Sequence, residues 1–392
     1  MKTRHYDRRR LKRWVVVLVL AGTLLVGCGR RVPATWPDLS VVDGVVYLAN
    51  GQIFAMEAAT GKLLWNYPGA PQRSGGLLSG CSAPQATDGP FVAAPAVGAE
   101  FVFLASGGDQ QQSLLGKGKN MAGLRALNNF GVLQWRFDEA TQSAVASPVL
   151  DEGTVYLASS DRHVYAIDVQ TRDTRWVFET TKWVWAVPLV AQDTVYIASM
   201  DHVLYAVDAA TGEVEWKFDR PQSALPTAPA LVQGTLYLNA LDGWVYAIDA
   251  QTGALEWEHK IDGSVWGTPL VQDGFVYLGT LHGAVYALDA ADGTQVWSQD
   301  VGGEVRSTPA YVDGKLYVGC QDGQLYVFDA QDGSKNVSPL GAALEKASIY
   351  TSPVFDGQYL YVVATDGRVF ALDLDKDIVV WEKNPVSDQE GN

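Results

Sequence analysis

Four segments of this chain are near-copies of one another. VYLASSDRHVYAIDVQTRDTRW (155–176) recurs as VYIASMDHVLYAVDAATGEVEW (195–216), LYLNALDGWVYAIDAQTGALEW (236–257) and VYLGTLHGAVYALDAADGTQVW (276–297). A short unit repeated at fixed period cannot bury its apolar side chains alone and must pack against its neighbours, so the period decides the fold before any local propensity does. Degenerate copies begin at Val46, Val102, Leu316 and Leu360. A tryptophan closes the units at Trp65, Trp135, Trp176, Trp216, Trp257, Trp297 and Trp381, with Val337 in the remaining slot. A proline opens each unit, at Pro37, Pro95, Pro148, Pro188, Pro229, Pro269, Pro309 and Pro353. Two independent markers agree on eight units.

Each unit reads as four short strands. Pro269-Leu270-Val271 begins an extended run, Asp273-Gly274 turns into Phe275–Thr280, His282-Gly283 turns into Val285–Asp289, and Asp292-Gly293 turns into Gln295–Ser298. Asp-Gly pairs suit hairpin turns because positive φ is accessible there. The second and third strands are near-continuous apolar runs rather than alternations, which predicts sheets covered on both faces. The 13 Trp, 17 Tyr and 39 Gly fit many short strands joined by tight turns. An open stack needs polar caps at its ends. Here Val45-Val46-Tyr47-Leu48 opens the first unit, and Tyr361-Val362-Val363 and Val379-Val380-Trp381 lie in the last. The expected fold is therefore all-β, an eight-bladed β-propeller of four-stranded repeats. Its closure is expected to bring Val46 and Tyr47 near Val362 or Val380, although Ser40–Val42 is short for a strand that must complete a blade alone.

Residues 1–27 have the pattern of an export signal. Lys2, Arg4, Arg8, Arg9, Arg10, Lys12 and Arg13 precede an apolar run from Trp14 to Val26, too short to span a bilayer comfortably. Leu25-Val26-Gly27-Cys28 resembles the bacterial lipobox, in which the cysteine after the cleavage site carries diacylglycerol. The expected organisation is a lipoprotein signal peptide over 1–27, a lipidated tether over 28–35, the propeller over 36–384 and a polar tail over 385–392. The predicted product is exported and membrane-anchored through Cys28, on the periplasmic or extracellular face. Seven of the 29 Lys and Arg lie in the signal, so the body is more acidic than the net −15 of the whole chain. Such a surface repels nucleic acid and anionic lipid heads, so neither is expected as a direct partner. Cys81 and Cys320 remain after Cys28, with no CxxC or adjacent pair, and their pairing is open.

The pattern VYxxSxDGxVYAxDAxTGxxxW resembles the PQQ-like, quinoprotein-type propeller repeat. That family includes PQQ-dependent dehydrogenases, the outer-membrane assembly lipoprotein BamB and extracellular sensor domains of bacterial kinases. The resemblance implies the fold over residues 36–384 and leaves function open among these classes. The dehydrogenases carry an adjacent Cys-Cys pair beside the cofactor and often a haem CxxCH; this chain has neither. No catalytic residue, metal or PQQ cofactor is therefore expected. In lipobox, length and blade count the layout is BamB-like, which implies a monomeric binding or scaffolding propeller for envelope proteins, in assembly or in sensing. A PQQ-dependent oxidoreductase-like protein is the alternative.

Three features are candidates for function. Asn50, Asp161, Asp201, Asp242, His282, Asp322 and Asp366 recur at the second-to-third strand turn. They could form a carboxylate ring able to hold a cation, with His163 and His202 assisting, but Asp and Asn favour tight turns whatever the function, and radial symmetry spreads them around the ring. Trp185, Trp266, Arg306 and Tyr350 each stand three residues before an opening proline, where the chain enters the innermost strand. They are the candidate ligand site at the channel mouth, able to hold a flat or anionic molecule, or simply to plug the channel. Finally, Trp65 to Trp135 spans 70 residues, with insertions rich in Gly, Ser and Gln over 69–90 and 106–121. Both connections leave an up-and-down sheet at the same end, so they are expected side by side on one face, where a partner could bind.

Overall fold

A computed structural model describes residues 38–68, 90–107, 122–337 and 347–390. Cys28, Cys81 and most of both insertions lie outside them. The chain forms eight four-stranded antiparallel sheets, each built from four strands consecutive in sequence. Blades 1 to 8 span Asp38–Tyr67, Ala96–Phe137, Val149–Glu179, Leu189–Phe218, Ala230–Lys260, Leu270–Asp300, Ala310–Val337 and Val354–Lys383. First strands lie side by side around the centre between blades 2 and 3, 3 and 4, 5 and 6, 7 and 8, and 8 and 1. This is an eight-bladed β-propeller. Among the described residues no helix is long and apolar enough to cross a membrane, and the short helix Ser387–Glu390 lies in the segment expected as a polar tail.

The apolar runs do what their lack of alternation predicts. In blade 6, Val276 and Leu278 pack with Tyr237, Val245 and Trp257 of blade 5. Tyr277, between them in sequence, packs the other way, with Leu316, Val318 and Phe328 of blade 7. Successive side chains of a strand point to opposite faces, so a strand between two blades must be apolar at every position.

Tryptophan makes the joint between blades. The Nε1 of Trp257 donates to the Ala290 carbonyl of blade 6 at 2.9 Å, and the Tyr237 hydroxyl donates to the same oxygen at 3.2 Å. Tyr277 and Trp297 share Ala330 in the same way, and Tyr196 and Trp216 share Ala250. The indole lies flat on a glycine of the next blade: Trp257 on Gly293, Trp216 on Gly253, Trp297 on Gly333. In seven blades the last strand carries a one-residue bulge just before the tryptophan, which sets Trp297, for example, opposite Ala287. Blade 7 has no such bulge: Asn336 stands opposite Val327, and Val337 opposite Tyr326. The assignment of Val337 to the tryptophan slot is thus corrected by one pair, because without the extra residue the strand runs one step further along its partner.

The ring closes with the same joint. Trp381 and Tyr361 of blade 8 both donate to the Ala58 carbonyl of blade 1, at 2.8 and 3.3 Å, and Trp381 lies on Gly61. The first strand, Asp38–Val42, pairs over five residues with Val45–Ala49 and completes blade 1 from its own segment. Val46 packs at the seam, but against Tyr361 and Val363 rather than Val362 or Val380. Tyr47 faces blade 2 and Val362 faces blade 7, because each stands one residue out of phase with the seam. Val380 lies on the outer strand and stays exposed.

The turns joining third and fourth strands are acidic and predict an acid limit to stability. Asp168 accepts from the Thr171 amide at 2.8 Å, Asp208 from the Thr211 amide at 2.7 Å, and Asp249 from the Thr252 amide at 2.8 Å. The Thr171 amide, with Arg175 alongside, holds Asp168 down at about 2. The hydroxyls and amides of Thr211 and Thr252 lower Asp208 and Asp249. A carboxyl depressed in the fold adds stability above its unfolded pKa of about 3.9 and loses it as pH falls through the folded value. Urea midpoints should therefore be flat from neutral pH down to about 5 and fall progressively between about 4 and 2.

Candidate functional site

Second-to-third strand turns and the connectors between blades emerge at one end of the ring, here termed the connector face. Each connector is stitched down on both sides. The Met200 amide of the blade 4 turn donates to the Trp183 carbonyl, while the Val184 amide donates to Ser159 of blade 3. Equivalent pairs are Leu241 with Ala224 and Leu225 with Ser199, and in blade 6 Leu281 with Ser264. This zigzag buries Val184 and Ala186 and turns Trp183 and Trp185 outward. Those two indoles stack nearly parallel, with centroids 5.2 Å apart and planes 16° apart. Trp185 is half-buried and donates from Nε1 to the Ser160 hydroxyl at 3.2 Å, whereas Trp183 is 47% exposed.

The residue that leads each turn extends this apolar surface. It is Met200, Leu241 and Leu281 in blades 4, 5 and 6, each half-buried, but Ser160, Gln321 and Thr365 in blades 3, 7 and 8. Trp266 stands half-buried in the connector into blade 6, and Trp244 in blade 5 lies under the Lys260 ammonium at 5.6 Å. Around these residues are charged pairs: Arg162 with Glu179 at 3.1 Å, and Arg220 gripping Glu258 through both nitrogens at 2.6 and 2.7 Å. An aromatic and aliphatic centre inside a charged rim is the composition of protein-binding surfaces.

The four residues expected at the channel mouth are distributed over blades 4, 6, 7 and 8. Arg306 and Tyr350 meet, the guanidinium lying 5.1 Å from the ring centroid. Glu304 takes the same guanidinium through Nε at 2.9 Å and Nη2 at 2.5 Å, so Arg306 is already neutralised by its own connector. Trp185 pairs with Trp183, and Trp266 stands two blades away. The turn aspartates are occupied within their blades. The hydroxyls of Tyr165, Tyr205 and Tyr326 donate to Asp161, Asp201 and Asp322 at 2.9, 2.9 and 2.7 Å. Burial first, then the carboxylate partner, pushes Tyr326 up to about 12. Among the described residues no cluster of His, Cys, Asp and Glu has metal-binding geometry. Cys320 is a buried free thiol, raised to about 12 by desolvation.

The insertions over 69–90 and 106–121 lie mostly outside the described residues, but their bases meet as the topology requires. The Gly107 amide donates to the Pro90 carbonyl at 3.0 Å, and Phe91 and Gly51 exchange amide hydrogen bonds at 2.9 and 3.2 Å. Trp183, Met200, Leu241 and Leu281 are absent from the sequence-based candidates. The signal for the last three was present: an apolar residue leads the turn in three consecutive units and a polar one leads it in the units on either side.

The family model described as outer membrane protein assembly factor BamB matches residues 120–265 and 241–392. The crystal structure of BamB from Moraxella catarrhalis superposes with a TM-score of 0.65 at 18% identity, covering 84% of this chain and 92% of that one. A crystal structure of the computationally designed Ika8 protein gives 0.64 at 15% identity, over 76% of this chain and 88% of that one. At such identities the superpositions establish the fold alone. No curated protein matches in sequence.

Proposed function

The chain belongs to the family of the outer membrane protein assembly factor BamB, and on that premise we propose that it is a non-catalytic, lipid-anchored scaffold of the bacterial cell envelope, acting in the assembly of outer-membrane proteins. Cys28 carries the anchor, and the propeller holds a partner protein on its connector face. The observation that carries this reading is the aromatic surface across blades 4 to 6, where Trp183 stands 47% exposed on top of Trp185. An exposed, stacked tryptophan pair on a rigid frame, beside Met200 and Leu241, is a ready anchor for apolar side chains of a partner. No PQQ cofactor is required for this role, and Arg306 with Tyr350 serves to line the channel mouth.

The test is a pulldown of the full chain from solubilised envelopes, wild type against Trp183→Ala with Trp185→Ala. Both side chains point away from the blade cores, so the variant should melt close to wild type. Loss of two interface tryptophans should lower partner recovery at least about ten-fold. Undiminished recovery of every partner by a well-folded double variant would remove the surface from the proposal.

A further inference from the structure

Eight joints hold the ring, and among the described residues six are built alike. Trp216, Trp257, Trp297 and Trp381 each reach a carbonyl of the next blade and lie on its glycine. Trp65 and Trp176 complete the set, donating to Asn129 and Ala209 at 2.8 and 2.9 Å over Gly131 and Gly212. The two remaining joints depart from this pattern on both of their sides. Between blades 2 and 3, Arg172 at φ 68° holds the glycine position, and the Nε1 of Trp135 is buried without an acceptor. Phe103 also replaces the tyrosine that shares the acceptor in blades 4, 5, 6 and 8. Between blades 7 and 8 the tryptophan and its bulge are both missing, and Asp377 at φ 53° holds the glycine position.

We infer that the ring opens first at these two joints, with blades 3–7 and blades 8, 1 and 2 behaving as two rigid arcs hinged on one another. A closed ring cannot part at a single joint without straining the other seven. Two weak joints remove that restriction, because one parts while the arcs rock on the other. Opening is favoured at both places for a stated reason. The Trp135 N–H gains a water partner when its joint parts, whereas the six paired indoles each lose a carbonyl. At the joint between blades 7 and 8 there is no indole to expose, so parting it uncovers less apolar surface.

The stitch on the connector face does not by itself distinguish the weak joints. One amide of each connector crosses to the preceding blade: Ala144 to Ser106, Val184 to Ser159 and Leu225 to Ser199, each at 3.3 Å. Val305 to Thr280 and Ile349 to Cys320 follow at 3.0 Å. All five donors are fully buried. Ala144 and Ile349 serve the two weak joints, and the other three serve intact ones, so the difference lies in the outer layer alone. The surfaces follow the same division. Trp183, Met200, Leu241 and Leu281 lie on the long arc, and a partner seated on them grips blades 4 to 6 and leaves both weak joints free. The exposed rim side chains Leu64, Phe130, Val132 and Ile378 lie on the short arc. The hinge stands whether or not the connector face binds a partner.

The test is residue-resolved hydrogen exchange on the unsubstituted full chain, read at the five crossing amides without denaturant. Relative to their unfolded rates, Ala144 and Ile349 should exchange at least about ten-fold faster than Val184, Leu225 and Val305. Arg172→Gly repairs one joint only, and should slow Ala144 at least about three-fold while Ile349 keeps its rate. A second reading uses thiols in one molecule. Cys320 is buried against blade 6, and Ala364→Cys places a thiol at the matching position against blade 7. Peptide-resolved alkylation should be at least about ten-fold faster at position 364 than at Cys320. Equal exchange at all five amides, or equal alkylation at both thiols, would mean that the ring opens only as a whole and would overturn the inference. Fastest exchange at an intact joint, or an Ala144 rate indifferent to Arg172→Gly, would overturn it as well.

Discussion

Trp381→Ala should destabilise the protein by about 3–5 kcal/mol, as much as Trp257→Ala in the middle of the chain. The expectation follows from the seam. Trp381 and Tyr361 donate to Ala58 as Trp257 and Tyr237 donate to Ala290, and each indole lies on a glycine of the following blade. Both tryptophans are about equally buried, at 8% exposure. In an open stack the last unit frays independently, so a substitution there would cost far less than one in the interior. A closed ring has no end to fray. Urea titrations of both variants, followed by circular dichroism, decide the matter. Midpoints displaced equally support closure, while a small early loss for Trp381→Ala with the main transition unmoved would mean that blade 8 detaches alone. Trp381→Phe keeps part of the ring packing and drops the hydrogen bond to Ala58, whose loss should add about 1 kcal/mol to that of the missing ring atoms.

The architecture was legible because burial on both faces imposes a strict period. A residue out of place in Val276–Leu278 would meet another blade, and the tryptophans, prolines and apolar runs therefore recur where they can be counted. The orientation of particular residues at the seam was not legible. It depends on pairing phase, and one residue separates Val46, which faces blade 8, from Tyr47, which faces blade 2. The missing bulge in blade 7 was hidden for the same reason, since a bulge leaves no signature in hydrophobicity. Exposed features follow no period. Trp183 and Trp185 share a connector in which alternate residues are buried, but only the three-dimensional stitch shows that the tryptophans are the outward pair. Phe130 reads as one more apolar residue until the joint between blades 1 and 2 places it beside Leu64.

The partnership of tryptophan with glycine across each joint is also non-local, and it leads to the second large effect. Gly293 has φ +74°, and a Cβ there would lie 2.5 Å from the Trp257 ring. Gly293→Ala should therefore cost about 2–4 kcal/mol, combining left-handed strain with overpacking against a buried indole. Gly274→Ala separates the two contributions. Its φ is +82° but nothing lies within 4 Å of the added carbon, so it reports backbone strain alone and should cost only about 1 kcal/mol. Blade 3 supplies the reverse experiment from nature. Arg172 occupies the glycine position at φ 68°, and the Nε1 of Trp135, the indole of the preceding blade, is buried without an acceptor. Elsewhere that nitrogen reaches a carbonyl such as Ala209 or Ala250. Arg172→Gly should relieve the strain, let Trp135 settle toward the Val169 carbonyl and stabilise the protein by about 1–2 kcal/mol. Asp377, at φ 53°, stands where blade 8 would receive the tryptophan that blade 7 lacks. With no indole to dock, Asp377→Gly should recover less than Arg172→Gly, about 0.5 kcal/mol. Equal effects of Gly293→Ala and Gly274→Ala would show that the indole exerts no steric demand on the glycine beneath it, and the account of the joint would be wrong.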